Sequence, residues 1–183
     1  MGCGPKVLYI VRHCEPAGQE PSAPLTERGK RQAETLCAFL VRFDVERIVS
    51  SPFVRALESI QPLGACLGIG VETDPRLVER TLSAVPIPDW RKRLRDSFQD
   101  PDLAIQGRES SRAAMERARN AVAGVLDHPA HRTVVVTHGN LMALMLKTFE
   151  DSIGFELWER LTYPDVYSVT VSETHSAVER IWA

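Results

Sequence analysis

Lys6 to Val11, KVLYIV, is apolar without alternation after its first residue, the pattern of a strand buried on both faces. It runs directly into Arg12-His13. Pro16, Pro21 and Pro24 then break any helix and predict a loop. Thr26 suits an N-cap, and Ala33, Leu36, Cys37, Leu40 and Val41 recur at helical spacing over Arg28 to Phe43. Arg47 to Ser51, RIVSS, reads as a second strand. Pro52 is placed in the first turn of the next helix, which runs to about Leu67 with a kink at Pro62 and stops at Gly68 and Gly70. Val71 to Thr73 reads as a third strand.

From Arg76 to about Gly107 the pattern loosens, with Pro86, Pro88 and Pro101 punctuating it and a short helix over Arg91 to Phe98. Glu109 to Leu126 regains helical periodicity. Thr133 to Thr137, TVVVT, is β-branched throughout and predicts a buried strand. His138-Gly139 follows, then an apolar helix over Asn140 to Phe149. Val166 to Ser172 and Ala177 to Trp182 read as a closing strand pair. Strands alternating with helices predict the α/β class: a three-layer α/β/α sandwich with a mostly parallel central sheet. We expect a single domain over residues 1–183, with residues 76–107 as a small cap inserted over one end of the sheet.

Composition narrows the function. A formal charge of −2 and a pI near 6.2 offer no basic field for nucleic acid. No apolar run approaches the ~20 residues needed to span a bilayer, and the start of the chain shows no secretory pattern. Met1-Gly2-Cys3 invites a lipidation reading, but Lys6 stands where myristoylation wants Ser or Thr. Cys3, Cys14, Cys37 and Cys66 form no C-x-x-C pair and no zinc spacing. Reduced thiols in a cytoplasm are expected.

The chemistry is concentrated at strand ends. Two strands of buried type, KVLYIVR and TVVVT, each deliver a histidine at the carboxyl end, where open α/β sheets bind ligands. If these strands are neighbours, His13 and His138 face each other. The helix starting beside His138 would offer backbone N–H groups to an anion, Gly139 foremost. Arg12 precedes His13, and Arg55 stands in the first turn after RIVSS. A guanidinium grips phosphate through parallel hydrogen bonds. With no Walker-type loop and no acidic cluster in the sequence, phosphoryl transfer is expected to use a protein nucleophile, and histidine can serve.

Four blocks carry a resemblance: LYIVRHCEP, PLTERGKRQA (Pro24 to Ala33), SSPFVRALES (Ser50 to Ser59) and VVVTHGN (Val134 to Asn140). Together, and in this order, they resemble the histidine phosphatase superfamily, which includes the phosphoglycerate mutases. The resemblance implies that His13 is the phosphorylated histidine, that Arg12 and Arg55 clamp the phosphate, and that His138 contacts its oxygens. Glu79, in PRLVER, resembles the family's acid/base glutamate, and Gln19 stands where many members carry a phosphate-contacting asparagine. Cys14 departs from the family's glycine. A side chain there can crowd the pocket or shift its backbone, but cysteine is small and activity is expected to survive; a thiol beside two arginines suggests a lowered pKa, with no reactive or redox role expected.

The implied mechanism needs no metal and no organic cofactor. The implied partner is a small phosphorylated substrate, or phosphohistidine on a protein. The short cap favours hydrolysis over mutase chemistry, which must exclude water and hold a substrate charged at both ends. A phosphoglycerate mutase-type phosphotransferase is the alternative, followed by a non-catalytic phosphate-binding module. Within the cap, Trp90 reads either as an anchor or as an aromatic platform. The basic stretch Arg91 to Arg95 is balanced by Asp89, Asp96, Asp100 and Asp102 and reads as a solvated helix face.

Overall fold

A computed structural model describes residues 4–83 and 85–182. The lipidation reading at Met1–Cys3, and Cys3 itself, lie outside these residues. The chain runs β1 (Lys6–Arg12), α1 (Glu27–Leu40), β2 (Arg47–Ser50), α2 (Val54–Leu67), β3 (Val71–Thr73), α3 (Trp90–Gln99), α4 (Ser111–Leu126), β4 (Arg132–Thr137), α5 (Gly139–Lys147), α6 (Phe155–Arg160), β5 (Asp165–Val171) and β6 (Ser176–Arg180).

The strands form one sheet in the order β3-β2-β4-β1-β5-β6. The four strands from β3 to β1 are parallel, and β5 and β6 add an antiparallel edge. Side chains alternate across a strand, so both faces must be covered for an unbroken apolar run to make sense. Leu8, Ile10 and Val135 pack under α4 and α5 with Ala118, Leu141 and Met145. Tyr9, Val11, Val134 and Val136 face the other way, onto Leu36, Leu40, Ile60 and Leu63 of α1 and α2. The outcome is the three-layer α/β sandwich that the apolar runs predict.

Local chemistry sets most boundaries. Thr26 caps α1, its hydroxyl accepting the Gly29 N–H at 2.9 Å. Gly68 ends α2 with φ +67°, in the left-handed region that glycine enters without a Cβ penalty. Three details differ from expectation. Helix α1 gives way at Val41 to a 3₁₀ turn over Val41–Phe43. Pro52 lies before helix α2 rather than in its first turn, because the Ser51 N–H still bonds Val136 and Phe53 is extended as the N-cap. Helix α6 is too short for its periodicity to show; only Phe155 and Trp158, three apart, hint at it.

The segment from Pro75 to Gly107 leaves the sheet after β3 and returns at α4. Its residues Arg80, Leu82, Trp90 and Leu94 share a cavity with Arg12 and His13 at the carboxyl end of β1. No helix among the described residues is long and apolar enough to cross a membrane.

Candidate active site

Parallel pairing of β1 with β4 sets Arg12 beside Thr137, so the residues that follow, His13 and His138, come out side by side. The His13 N–H bonds the Thr137 carbonyl at 3.1 Å and extends the pairing by one residue. The two imidazoles meet edge to face with centroids 5.0 Å apart.

His13 is held in one tautomer. Its Nδ1 lies 2.7 Å from the Cys14 carbonyl, which can only accept, so Nδ1 carries the proton and Nε2 the lone pair. The Nε–H of Arg55 points at that lone pair from 3.3 Å. Burial, with the positive charges of Arg55 and Arg12 adding to it, pushes the His13 pKa down to about 3, although the Cys14 carbonyl works the other way. The ring is therefore neutral at physiological pH.

The backbone beneath it is pinned. The Cys14 N–H donates to Ser59 Oγ at 2.8 Å, and that hydroxyl donates to the Arg55 carbonyl at 2.6 Å. Cys14 itself is fully buried among the apolar residues under α1 and α2. Two expectations are corrected here. The side chain packs into the core and does not crowd the pocket, and burial pushes the thiol pKa up, to about 11. Desolvation outweighs the hydrogen bond with Ser59, which acts the other way.

Arg55 stands in the first turn of α2 and is almost completely buried. Its Nη1 donates to the carbonyls of Gln19 and Glu20, at 3.1 and 2.9 Å. It therefore holds the 19–20 loop against the site as well as facing His13. Arg12 is held from the opposite side. Its Nη1 donates to the Leu161 carbonyl at 2.9 Å, and its guanidinium stacks 3.6 Å from the centroid of the Tyr163 ring. Its Nε is buried and has no partner among the described residues. Gly139 leaves room for this position: a Cβ there would sit 3.2 Å from the guanidinium, closer than ordinary contact.

His138 is completely buried behind His13. Its Nε2 lies 2.8 Å from Ser51 Oγ, and its Nδ1 has no hydrogen-bond partner. Burial and the positive field of the site keep its pKa well below the ordinary histidine value.

The anion at the N-terminus of α5 is a protein carboxylate. Glu79 Oε2 accepts the Asn140 N–H at 3.0 Å, and Oε1 accepts the N–H groups of Leu141 and Arg80 at 2.9 and 2.8 Å. The sequence offered that helix end to phosphate; in the fold, Glu79 occupies the amides of Asn140 and Leu141. Its approach is fixed by Thr137, whose hydroxyl donates to the Leu77 carbonyl, and by Arg117, which donates to the carbonyls of Arg76 and Val78.

Arg12, His13, Gln19, Arg55, Glu79 and Gly139 thus line one cavity of about 450 Å³. His138 is the exception, buried behind that wall. Among the described residues, no three His, Cys, Asp or Glu side chains are grouped as a metal ion would need. The basic stretch of α3 is spent on ion pairs: Arg91 with Glu159, Lys92 with Asp96 at 3.1 Å, and Arg93 with Asp89 at 3.0 Å. Sequence reasoning overlooked the individual parts played by Ser51, Ser59, Arg80 and Tyr163. The two serines lie inside the SSPFVRALES block, which gave the only signal available. Tyr163 arrives from the far end of the chain with no local signal at all.

A family model described as the histidine phosphatase superfamily (branch 1) matches residues 8–181. A protein named "Probable phosphoglycerate mutase GpmB" from Cronobacter sakazakii is 29% identical over 160 residues, covering 77% of this chain and 73% of that one. YhfR of Bacillus stearothermophilus superposes with a TM-score of 0.79 at 26% identity, covering 96% of each chain. A mycobacterial glucosyl-3-phosphoglycerate phosphatase gives a TM-score of 0.78 at 22% identity, covering 97% of this chain and 98% of that one.

Proposed function

Because the chain belongs to the histidine phosphatase superfamily, branch 1, we propose that it is a phosphatase that hydrolyses phosphate monoesters through a phosphohistidine formed on His13. One observation carries this reading: the Nε2 lone pair of a neutral His13, its tautomer fixed by the Cys14 carbonyl, lies against Arg55 on a cavity of ester size.

In this reading Nε2 attacks phosphorus in line with the departing alcohol. Arg55 and Arg12 take the charge of the equatorial oxygens. Arg55 then exchanges its contact with Nε2 for one with the phosphoryl group. His138 Nδ1, without a partner among the described residues, is the ring nitrogen this reading assigns to the phosphoryl group. Glu79, protonated on Oε2 in the substrate complex, gives that proton to the leaving oxygen and, as the carboxylate, takes one back from the water that cleaves phosphohistidine. Oε1 already accepts two N–H groups and Oε2 only one, so Oε2 is the oxygen with a lone pair left for the proton.

Hydrolysis is preferred to mutase chemistry because the cavity offers few cations for a second anionic end. Arg12, Arg55 and Arg80 are the basic side chains on its wall. The mutase reading draws on the name given to the Cronobacter relative. Incubation with p-nitrophenyl phosphate, without added metal, tests the proposal. Release of nitrophenol that is lost in His13→Ala supports it. Mutase activity on phosphoglycerates exceeding hydrolysis would reverse the preference, and no turnover of any ester would leave a phosphate-binding module.

A further inference from the structure

The cleft above His13 has two connected parts. The inner cavity is walled by Leu82, Trp90, Leu94, Trp158 and Tyr163. An outer cavity of about 600 Å³ continues it, sharing Gln19, Arg55, Glu79, Arg80, Leu82 and Trp90 and adding Phe53, Val85, Pro86 and Ile87. A phosphoryl group seated on His13 has to direct its alcohol into this space.

The walls are apolar and in part aromatic, and they expose apolar surface that packing does not require. Among the described residues the large hydrophobics most open to solvent are Val41, Val85 and Trp90, and the last two stand at this mouth, 55% and 48% exposed. Apolar surface concentrated at a cleft marks a ligand site. Trp90 also meets Trp158 edge to face at 5.9 Å, so an aromatic pair stands over the inner cavity.

Charge excludes the other kind of alcohol. Arg12 and Arg55 belong to the phosphoryl group, which leaves Arg80 as the remaining cation on either wall. Arg80 is almost fully buried. Its Nε donates to the Glu109 carbonyl, and its Nη1 to Ser97 and Ser111. Only Nη2 lacks a partner, and the carboxylates of Glu79 and Glu109 already act on this guanidinium. The rest of the lining includes the carboxylates Glu20 and Glu79. A second anion on the substrate would be desolvated against apolar walls with at most one donor to meet it. An uncharged ring loses nothing there.

We infer that the cleft takes phosphomonoesters whose alcohol is an uncharged, ring-bearing apolar group seated along Trp90, Leu82 and Phe53, and discriminates against phosphates with a second anionic end. This inference rests on the proposed phosphate site at His13.

Calorimetric titration with two phosphonates that cannot be hydrolysed, benzylphosphonate and 2-carboxyethylphosphonate, tests it without requiring turnover. Benzylphosphonate should bind roughly 10- to 100-fold tighter, the worth of burying a ring. Trp90→Ala should shrink that ratio several-fold, and Val85→Lys, which sets a cation at the exposed mouth for the second anion, should shrink it as well. The ratio of kcat/KM for benzyl phosphate to that for glycerol 3-phosphate, two esters of aliphatic alcohols, should follow the same order. Tighter or equal binding of the carboxylated phosphonate overturns the inference, as does a ratio indifferent to both variants. Failure of both phosphonates to bind overturns it together with the phosphate site. A benzyl preference without hydrolysis of any ester supports the ligand class and refutes the phosphatase reading alone.

Discussion

The Nε–H of Arg55 points at Nε2 of His13 across 3.3 Å. The contact joins the end of β1 to the first turn of α2. It gives the lone pair of a buried imidazole its partner in the free protein, and a phosphoryl group arriving at Nε2 would take over that donor. Arg55 also carries the carbonyls of Gln19 and Glu20, so its removal has two separable consequences.

Arg55→Ala should cost on the order of 10²–10³ in turnover, as loss of one preorganised anion-stabilising donor does. It should also raise KM, because the 19–20 loop loses its anchor. Arg55→Lys returns the charge without the fork and should rescue only part of kcat. Steady-state kinetics on p-nitrophenyl phosphate decide this; wild-type kcat in the alanine variant would remove Arg55 from the chemistry.

His13 should resist protonation. In an unfolded chain a histidine titrates near 6.5, whereas burial takes His13 to about 3. Between those values the unfolded chain binds a proton that the folded protein refuses. The contribution of His13 to stability is therefore complete above about pH 6.5 and is lost progressively as pH falls toward 3, and His138 acts in the same direction. Nitrogen-15 spectra of the ligand-free protein should show His13 neutral, with its proton on Nδ1, down to pH 5. A midpoint near 6.5 would contradict the desolvated site.

Glu79→Gln tests the carboxylate twice over. An amide presents one acceptor oxygen where Glu79 uses both to receive backbone N–H groups. Its NH₂ must face a donor at the start of α5, at a cost of about 1–3 kcal/mol in stability, visible as a lower Tm. Esters with poor leaving groups should slow by ~10²–10⁴. An activated ester should still phosphorylate His13, and acid-labile, alkali-stable label should accumulate because the water lacks its base. Equal losses on both ester types would point to another carboxylate as the acid.

Ser51→Ala examines His138 from behind. The His138 ring bonds Ser51 Oγ through Nε2 while Nδ1 is free. Without the hydroxyl the ring loses its fixed orientation, and kcat should fall by roughly tenfold or more, as misplacement of a catalytic group costs. The nitrogen-15 signals of His138 should shift at the same time. Unchanged rates would leave Ser51 a purely structural partner.

Cys14 should be chemically silent. Its thiol is buried with a pKa near 11, whereas Cys66 is exposed. Iodoacetamide at pH 8 should modify Cys66 and spare Cys14 until the protein unfolds, as peptide mapping can show. Cys14→Gly should keep the activity and cost about 1–2 kcal/mol through the cavity and the freer backbone. Early alkylation of Cys14 with loss of turnover would reverse the placement found here.

Sequence alone determined what is periodic or contiguous. Unbroken apolar runs at KVLYIV and TVVVT required a sheet covered on both faces, and the residues after each run had to emerge at a carboxyl end. Arg12, His13 and His138 were legible for that reason, and Arg55 because it follows β2 by a few residues. Tertiary structure decided what depends on which surfaces meet. That Glu79 rather than a ligand receives the α5 amides, that Tyr163 lies under Arg12, and that Cys14 turns into the core are outcomes of packing between segments far apart in the chain. Helical and strand periods say which face of an element is buried. They do not say which distant side chain will compete for a helix N-terminus or a guanidinium, because that competition is settled only when desolvation drives buried polar groups to find partners.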